Sequence, residues 1–288
     1  MILEPHLSMN SSISSKTIIG AGGVKLNLLE AGQRGSTALL FVHGFSSSAW
    51  CWKNQLTGEL AQKFHLAALD LRGHGDSDKP VDSAAYATSE AWAHDVQAAI
   101  DAIEAPRTIL VAWSYGGLVA CDYLRHYGAS KLAGVVFVDA LSKLGNEQAM
   151  GMLGPKVLGH VPGLFATDVP TSVATLGAFI RDCHAGPLDS AEFHEQLGFN
   201  CSVPPEVRAA LFSRSLDNDD VLAATDTPVM LVHGSEDSIL LPTASKYLGA
   251  LMPRSRLVEI PGVGHSPFRE APLTFDRELA AFVGSPGG

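Results

Sequence analysis

At 288 residues, 46 % apolar and 17 % charged, the chain has the size of one large α/β domain or a domain with an insertion, and a core big enough to fold without disulfides or metal. Lys and Arg number 20 against 30 Asp and Glu, a net charge of −10 that repels phosphate backbones and anionic membrane surfaces, so nucleic acid and membrane are not expected partners. The four cysteines form no CxxC pair and the 11 histidines no HExxH, so no metal and no cofactor is signalled, and reduced thiols in a cytoplasmic protein are the expectation.

Residues 1–16 read as a flexible, Ser-rich leader without the continuous apolar core of an export signal, and no apolar run nears the roughly 18 residues of a membrane span. The first buried strand covers residues 37–42 and runs into FVHGFSSS. Gly44 there permits close approach, the Phe45 N–H is a candidate oxyanion donor, and His43 reads as structural. A strand over 66–71 leads into LDLRGHGDSDKP, and a helix over 89–104 carries Trp92, Val96, Ile100 and Ile103 on one face.

Residues 108–117, TILVAWSYGG, predict a buried strand, a sharp turn and a helix. Ala112, Ser114 and Gly116 match G-x-S-x-G with Ala in the first place. A nucleophile on such a turn has a strained backbone and needs small neighbours at two residues' distance on both sides. The following helix, over 118–127 with Gly128 as its C′ residue, aims its N-terminus at Ser114 and makes the Tyr115 N–H a second candidate oxyanion donor.

A strand over 135–138 ends at Asp139, and the next clear strand, 228–232, comes about ninety residues later, too far for a structureless loop. Residues 141–220, with five Phe and no Tyr or Trp, therefore read as an inserted helical cap, with the core at 17–140 and 221–288. His160, Asp182, His184 and His194 lie in it and read as solvated. LVHGSED places Asp237 after a late strand, IPGVGHSPF places His265 after another, and helices over 242–251 and 272–283 each begin near a Pro. Strands alternating with helices predict a doubly wound, mostly parallel sheet. Ser114, Asp237 and His265 each follow a strand's carboxyl end, the edge where open α/β sheets bind ligands.

With these motifs together, the chain resembles the α/β-hydrolase superfamily over nearly its whole length, in its capped single-domain branch. The resemblance implies a catalytic triad of Ser114, Asp237 and His265, an oxyanion hole of the Phe45 and Tyr115 amides, and structural duty for Arg72, His74 and Asp76 in the RGHGDS segment. Trp50 and Trp52 resemble aromatics that pack beneath the site, and core packing is expected of both. Asp139 rivals Asp237 as the triad acid, since both end strands on the correct side, and the HGSED segment favours Asp237. Branches that use Asp as nucleophile are excluded by Ser114. The remaining readings are a hydrolase of a small or medium carboxylic ester or lactone, a cofactor-free perhydrolase, a carbon–carbon bond hydrolase, and a ligand receptor that no longer turns over. A small-molecule ester or lactone substrate is the expected partner.

Overall fold

The computed structural model describes residues 12–35 and 37–284. Eight strands form one sheet: β1 (Ser14–Ile19), β2 (Lys25–Gly32), β3 (Ala38–Val42), β4 (His65–Leu69), β5 (Thr108–Trp113), β6 (Leu132–Val138), β9 (Val229–Gly234) and β10 (Arg256–Ile260). A ribbon of β7 (Lys143–Leu144) and β8 (Leu216–Asp217) lies apart from it. The sheet order is β1-β2-β4-β3-β5-β6-β9-β10, antiparallel at β1–β2 and β2–β4 and parallel from β4 to β10. Of the expected leader, residues 1–11 lie outside the described residues, and Ser14 to Lys16 already belong to β1, so the boundary at 16 is corrected. The first two strands escape a reading by apolar runs because β2 carries Asn27 and Glu30 among its buried positions. Asn27 donates to Asp70 at 2.8 Å, and Glu30 pairs with His65 at 3.1 Å and Lys16 at 3.0 Å.

The central strands are apolar on both faces, as parallel strands covered by helices must be. Along β3, Leu40 and Val42 join one core with Val96, Ile100 and Leu118, while Leu39 and Phe41 join the other with Trp52, Leu56 and Phe275. The second core belongs to α1 (Lys53–Thr57), α2 (Glu59–Lys63) and the C-terminal helices. The first belongs to α3 (Ser89–Ile103) and α4 (Gly116–Tyr127), which Gly128 ends at φ +66°, conformational freedom only glycine has without strain. Trp52 is buried against Phe268 at 4.1 Å, but Trp50, two residues earlier on the same short turn, is 39 % exposed, so the expectation of core packing fails there.

After β6 the chain leaves the sheet for α5 (Glu147–Met152), α6 (Pro155–Leu164), α7 (Val169–Asp182), α8 (Ser190–Cys201), α9 (Pro205–Phe212) and α10 (Asp219–Ala223). Side-chain N-caps start three of them: Asn146 accepts from Ala149 N, Asp168 from Thr171 N, and Asp189 from Ala191 N and Glu192 N. The ribbon pairs Lys143 with Asp217 where this segment leaves and rejoins the core. The chain closes with α11 (Thr243–Leu251) after β9, and α12 (Pro267–Glu270) and α13 (Pro272–Gly284) after β10. Among the described residues no helix is long and apolar enough to cross a membrane.

Candidate active site

The carboxyl ends of β3, β5, β6, β9 and β10 lie along one edge, and the residues beyond them converge there. Ser114 follows β5 at φ +53°, a left-handed conformation costly for any residue with a Cβ. Hydrogen bonds on both sides hold it: its N–H donates to Val138 O at 3.0 Å, and its carbonyl accepts from Gly117 N at 2.9 Å and Leu141 N at 3.0 Å. Gly116 makes the turn possible, since a Cβ there would stand 2.8 Å from Val42 O and 2.9 Å from His43 O.

Ser114 Oγ lies 2.9 Å from His265 Nε2, and His265 Nδ1 lies 2.6 Å from Asp237 Oδ2. All three residues are buried. Burial alone would raise the Asp237 carboxyl, but the charge and hydrogen bond of His265, together with the adjacent His233 imidazole, outweigh it and hold Asp237 well below the usual carboxylate range. Its Oδ1 also accepts from Ile239 N at 2.8 Å and Leu240 N at 3.0 Å. An ionised Asp237 fixes the tautomer: Nδ1–H donates to it, which leaves Nε2 to accept the Ser114 hydroxyl proton.

Asp139 ends β6 but does not orient His265. Its Oδ1 accepts from Gly234 N at 2.9 Å. His233 lies between the two acids, its Nε2 at 3.4 Å from Asp139 Oδ1 and 3.4 Å from Asp237 Oδ2. That nitrogen also lies 2.9 Å from Leu240 O, a carbonyl that only accepts, so it bears a proton and offers no lone pair to a metal.

Phe45, Tyr115, Ser114 and His265 line one cavity of about 640 Å³ including its open mouth. Among the described residues, the Phe45 and Tyr115 amides enter none of the backbone hydrogen bonds of their loops. The rest of the lining is almost wholly apolar, with Leu144, Leu153, Leu164, Phe179 and Phe212 prominent in it. Of the five Phe of residues 141–220, Phe179 and Phe212 reach this cavity and stand edge-on to Phe45 at 6.2 and 5.0 Å.

His43, Arg72 and His74 stay outside the cavity. His43 Nε2 accepts from Leu71 N at 3.1 Å, Arg72 forms a buried pair with Asp95 at 2.6 Å, and His74 packs on His43 at 4.9 Å between ring centres. His160 pairs with Asp182 at 2.8 Å and His194 is exposed, but His184 is buried against Gln196, a correction to the solvated reading. Three contacts around His265 were not anticipated. Trp113 Nε1 donates to His265 O at 2.7 Å, and His265 N donates to Cys183 O at 2.9 Å. Glu270 accepts from the amides on either side of the histidine, Gly264 N at 3.0 Å and Ser266 N at 3.2 Å, and from Ala185 N at 2.8 Å. Trp113 lies inside the AWSYG motif and Glu270 five residues after His265, but which atoms they reach depends on a long-range fold.

The alpha/beta hydrolase family model matches residues 39–278. The chain belongs to this family. It superposes on the crystal structure of an esterase, RhEst1, from Rhodococcus sp. ECU1013 with a TM-score of 0.90 and 36 % identity, covering 96 % of this chain and 100 % of the other. A pimeloyl-(acyl-carrier protein) methyl ester esterase of Neisseria meningitidis serogroup B (strain H44/76) is 29 % identical over 233 residues, 79 % of this chain and 85 % of that protein. A Bacillus subtilis (strain 168) protein described as an AB hydrolase superfamily protein, YisY, is 24 % identical over 249 residues, 86 % of this chain and 91 % of the relative. The α/β-hydrolase expectation is thus met in family and in fold, and the relatives of known activity among these are esterases.

Proposed function

We propose that this hydrolase cleaves carboxylic esters of small or medium uncharged acids through an acyl-enzyme on Ser114. The reading is carried by the unbroken contact chain from Ser114 Oγ through His265 to Asp237, opening on an apolar cavity. His265 takes the Ser114 proton as Oγ attacks the acyl carbon, Asp237 holds the tautomer and offsets the imidazolium charge, and His265 returns the proton to the leaving alcohol. Water then attacks the acyl-enzyme by the same route. The Phe45 and Tyr115 amides receive the developing oxyanion, each contributing about 2.7 to 4 kcal/mol to the transition state. Residues 141–220 act as a cap that supplies the acyl-side wall. The esterase activities named for the two relatives above support ester over the other bonds this family cleaves.

The test is labelling and turnover on the same preparation. A fluorophosphonate probe modifies the wild type at Ser114, and p-nitrophenyl esters of graded chain length are hydrolysed; Ser114→Ala loses both, with kcat down by up to ~10⁶. Labelling at another serine, or turnover that survives the substitution, would refute the assignment.

A further inference from the structure

Behind the serine–histidine–aspartate chain lies a buried group that the proposed mechanism leaves unused. Asp139 is fully buried at the end of β6 with φ +41°. One oxygen of Asp139, one of Asp237 and one nitrogen of His233 all lie within 4.8 Å of one another. The donors in this cluster are already committed. Gly234 N–H serves Asp139 Oδ1, the His233 Nε2 proton serves Leu240 O, and Ser245 Oγ sits 2.7 Å from His233 Nδ1. Asp139 Oδ2 is buried, and among the described residues no donor is aimed at it. Two neighbouring buried carboxylates, one with an unsatisfied oxygen, are a costly arrangement; one proton on the pair relieves both penalties.

We propose that Asp139 is a carboxylic acid rather than a carboxylate in the working protein, and that this neutral proton donor positions Asp237 as the single anion opposing His265. The inference rests on the reading of Asp237 as the acid of a Ser114–His265–Asp237 triad. Asp237 keeps the charge because it accepts two backbone amides and the His265 N–H, whereas Asp139 accepts one amide. The titratable groups facing Asp139 are Asp237 and His233 from β9 and the loop after it, Glu270 from α12 and Cys183 at the end of α7. Burial, then the charge on Asp237, pushes the Asp139 carboxyl well above the usual range, in keeping with the geometry. A protonated Asp139 is therefore a positioning residue, and asparagine, which accepts through Oδ1 and donates through Nδ2, copies its neutral form.

Two measurements on Asp139→Asn and Asp139→Gly decide it. Glycine removes the side chain without backbone strain at positive φ, and asparagine is the conservative variant. In infrared difference spectra at about pH 8, where Asp122 and Asp276, each raised to about 6, are ionised, a carboxylic-acid carbonyl band is expected in the wild type and in Ser114→Ala and missing from both Asp139 variants. In kinetics on a p-nitrophenyl ester, Asp139→Asn is expected to keep kcat within about 3-fold with its acid limb unmoved, while Asp139→Gly loses about 10-fold in kcat at little-changed KM. Absence of the band, wild-type kcat in Asp139→Gly, or an acid limb lowered by about a pH unit in Asp139→Asn, the mark of a buried negative charge removed, would overturn the proposal. If instead Ser114→Ala stays active, the triad reading fails while the infrared band still reports the proton on Asp139.

Discussion

Gly44 lies so close to Ser114 that a Cβ at position 44 would stand 2.9 Å from the serine's Cβ and 3.1 Å from Trp113 Cε3. The glycine brings the loop carrying the Phe45 amide against the turn carrying the serine, and any shift there disturbs bonds that hold the site: Ser114 makes three backbone hydrogen bonds and Trp113 donates to His265 O. Gly44→Ala is therefore expected to displace Ser114 or Phe45 by a few tenths of an ångström and lower kcat about 100-fold with little change in KM. Steady-state kinetics on a p-nitrophenyl ester check this, and a kcat within twofold of wild type would show that the loop has slack the structure does not display.

The acid that orients His265 gives the next prediction. Asp237→Asn keeps an Oδ1 that accepts from the Ile239 and Leu240 amides but turns an acceptor of the imidazole N–H into a possible donor. The tautomer is then wrong, and kcat should fall about 10⁴-fold with the melting temperature little changed, by analogy with protease triads. Thermal unfolding beside kinetics separates the two effects; an Asp237→Asn enzyme within a few-fold of wild type would mean that another group orients the ring.

What could be read in the sequence follows from how far each signal reaches along the chain. The central strands β3, β5, β6 and β9 are unbroken apolar runs, and the small residues around Ser114 answer a local backbone demand, so a window of ten residues holds the signal. In β2, Asn27 and Glu30 look like surface residues until Asp70 and His65, some forty residues on, turn out to satisfy them. Glu270 is similar: nothing local says that its carboxylate accepts the amides of Gly264, Ser266 and Ala185 and so joins the histidine loop to the end of α7. Partnership across the fold, rather than composition, makes these polar residues structural.

Two buried imidazoles set a pH dependence of stability. Burial pushes His43 down to about 4 and His74 to about 3, and the amide of Leu71 donating to His43 Nε2 requires that nitrogen to be unprotonated. Both values lie below the roughly 6.5 of an unfolded histidine, so the unfolded chain takes up these protons first. Stability from this source is present above about pH 6.5 and declines as pH falls to about 4, by about 3 kcal/mol for His43 alone. Asp122 and Asp276, both raised to about 6, work in the opposite direction, so the comparison must be with a variant. Urea unfolding of wild type and His43→Gln between about pH 4 and 7 should show a shallower loss in the variant, whose amide oxygen still accepts from Leu71 N; parallel curves would contradict the assignment.

The acyl side of the cavity yields a prediction about substrate. Leu144, Leu153, Leu164 and Phe179 offer a methylene chain only apolar surface, worth about 0.8 kcal/mol per buried CH₂, or nearly fourfold in kcat/KM per carbon until the space is filled. A carboxylate at the end of the same chain would lose its water, and the lysine among the described lining residues, Lys143, has its ammonium already held by Asp217 at 2.7 Å and Asp219 at 2.6 Å. The p-nitrophenyl esters should accordingly rise in kcat/KM from acetate through butyrate, while the ester of a dicarboxylic half-acid of butyrate's length falls at least about 10-fold below butyrate. Ala149, on α5 at the cavity wall, tests the location: Ala149→Phe should cut the longest good substrate by about 10-fold and leave acetate within about 3-fold. If the charged and neutral esters are hydrolysed alike, or if Ala149→Phe lowers acetate as much as the long chain, the acyl group does not lie in this cavity.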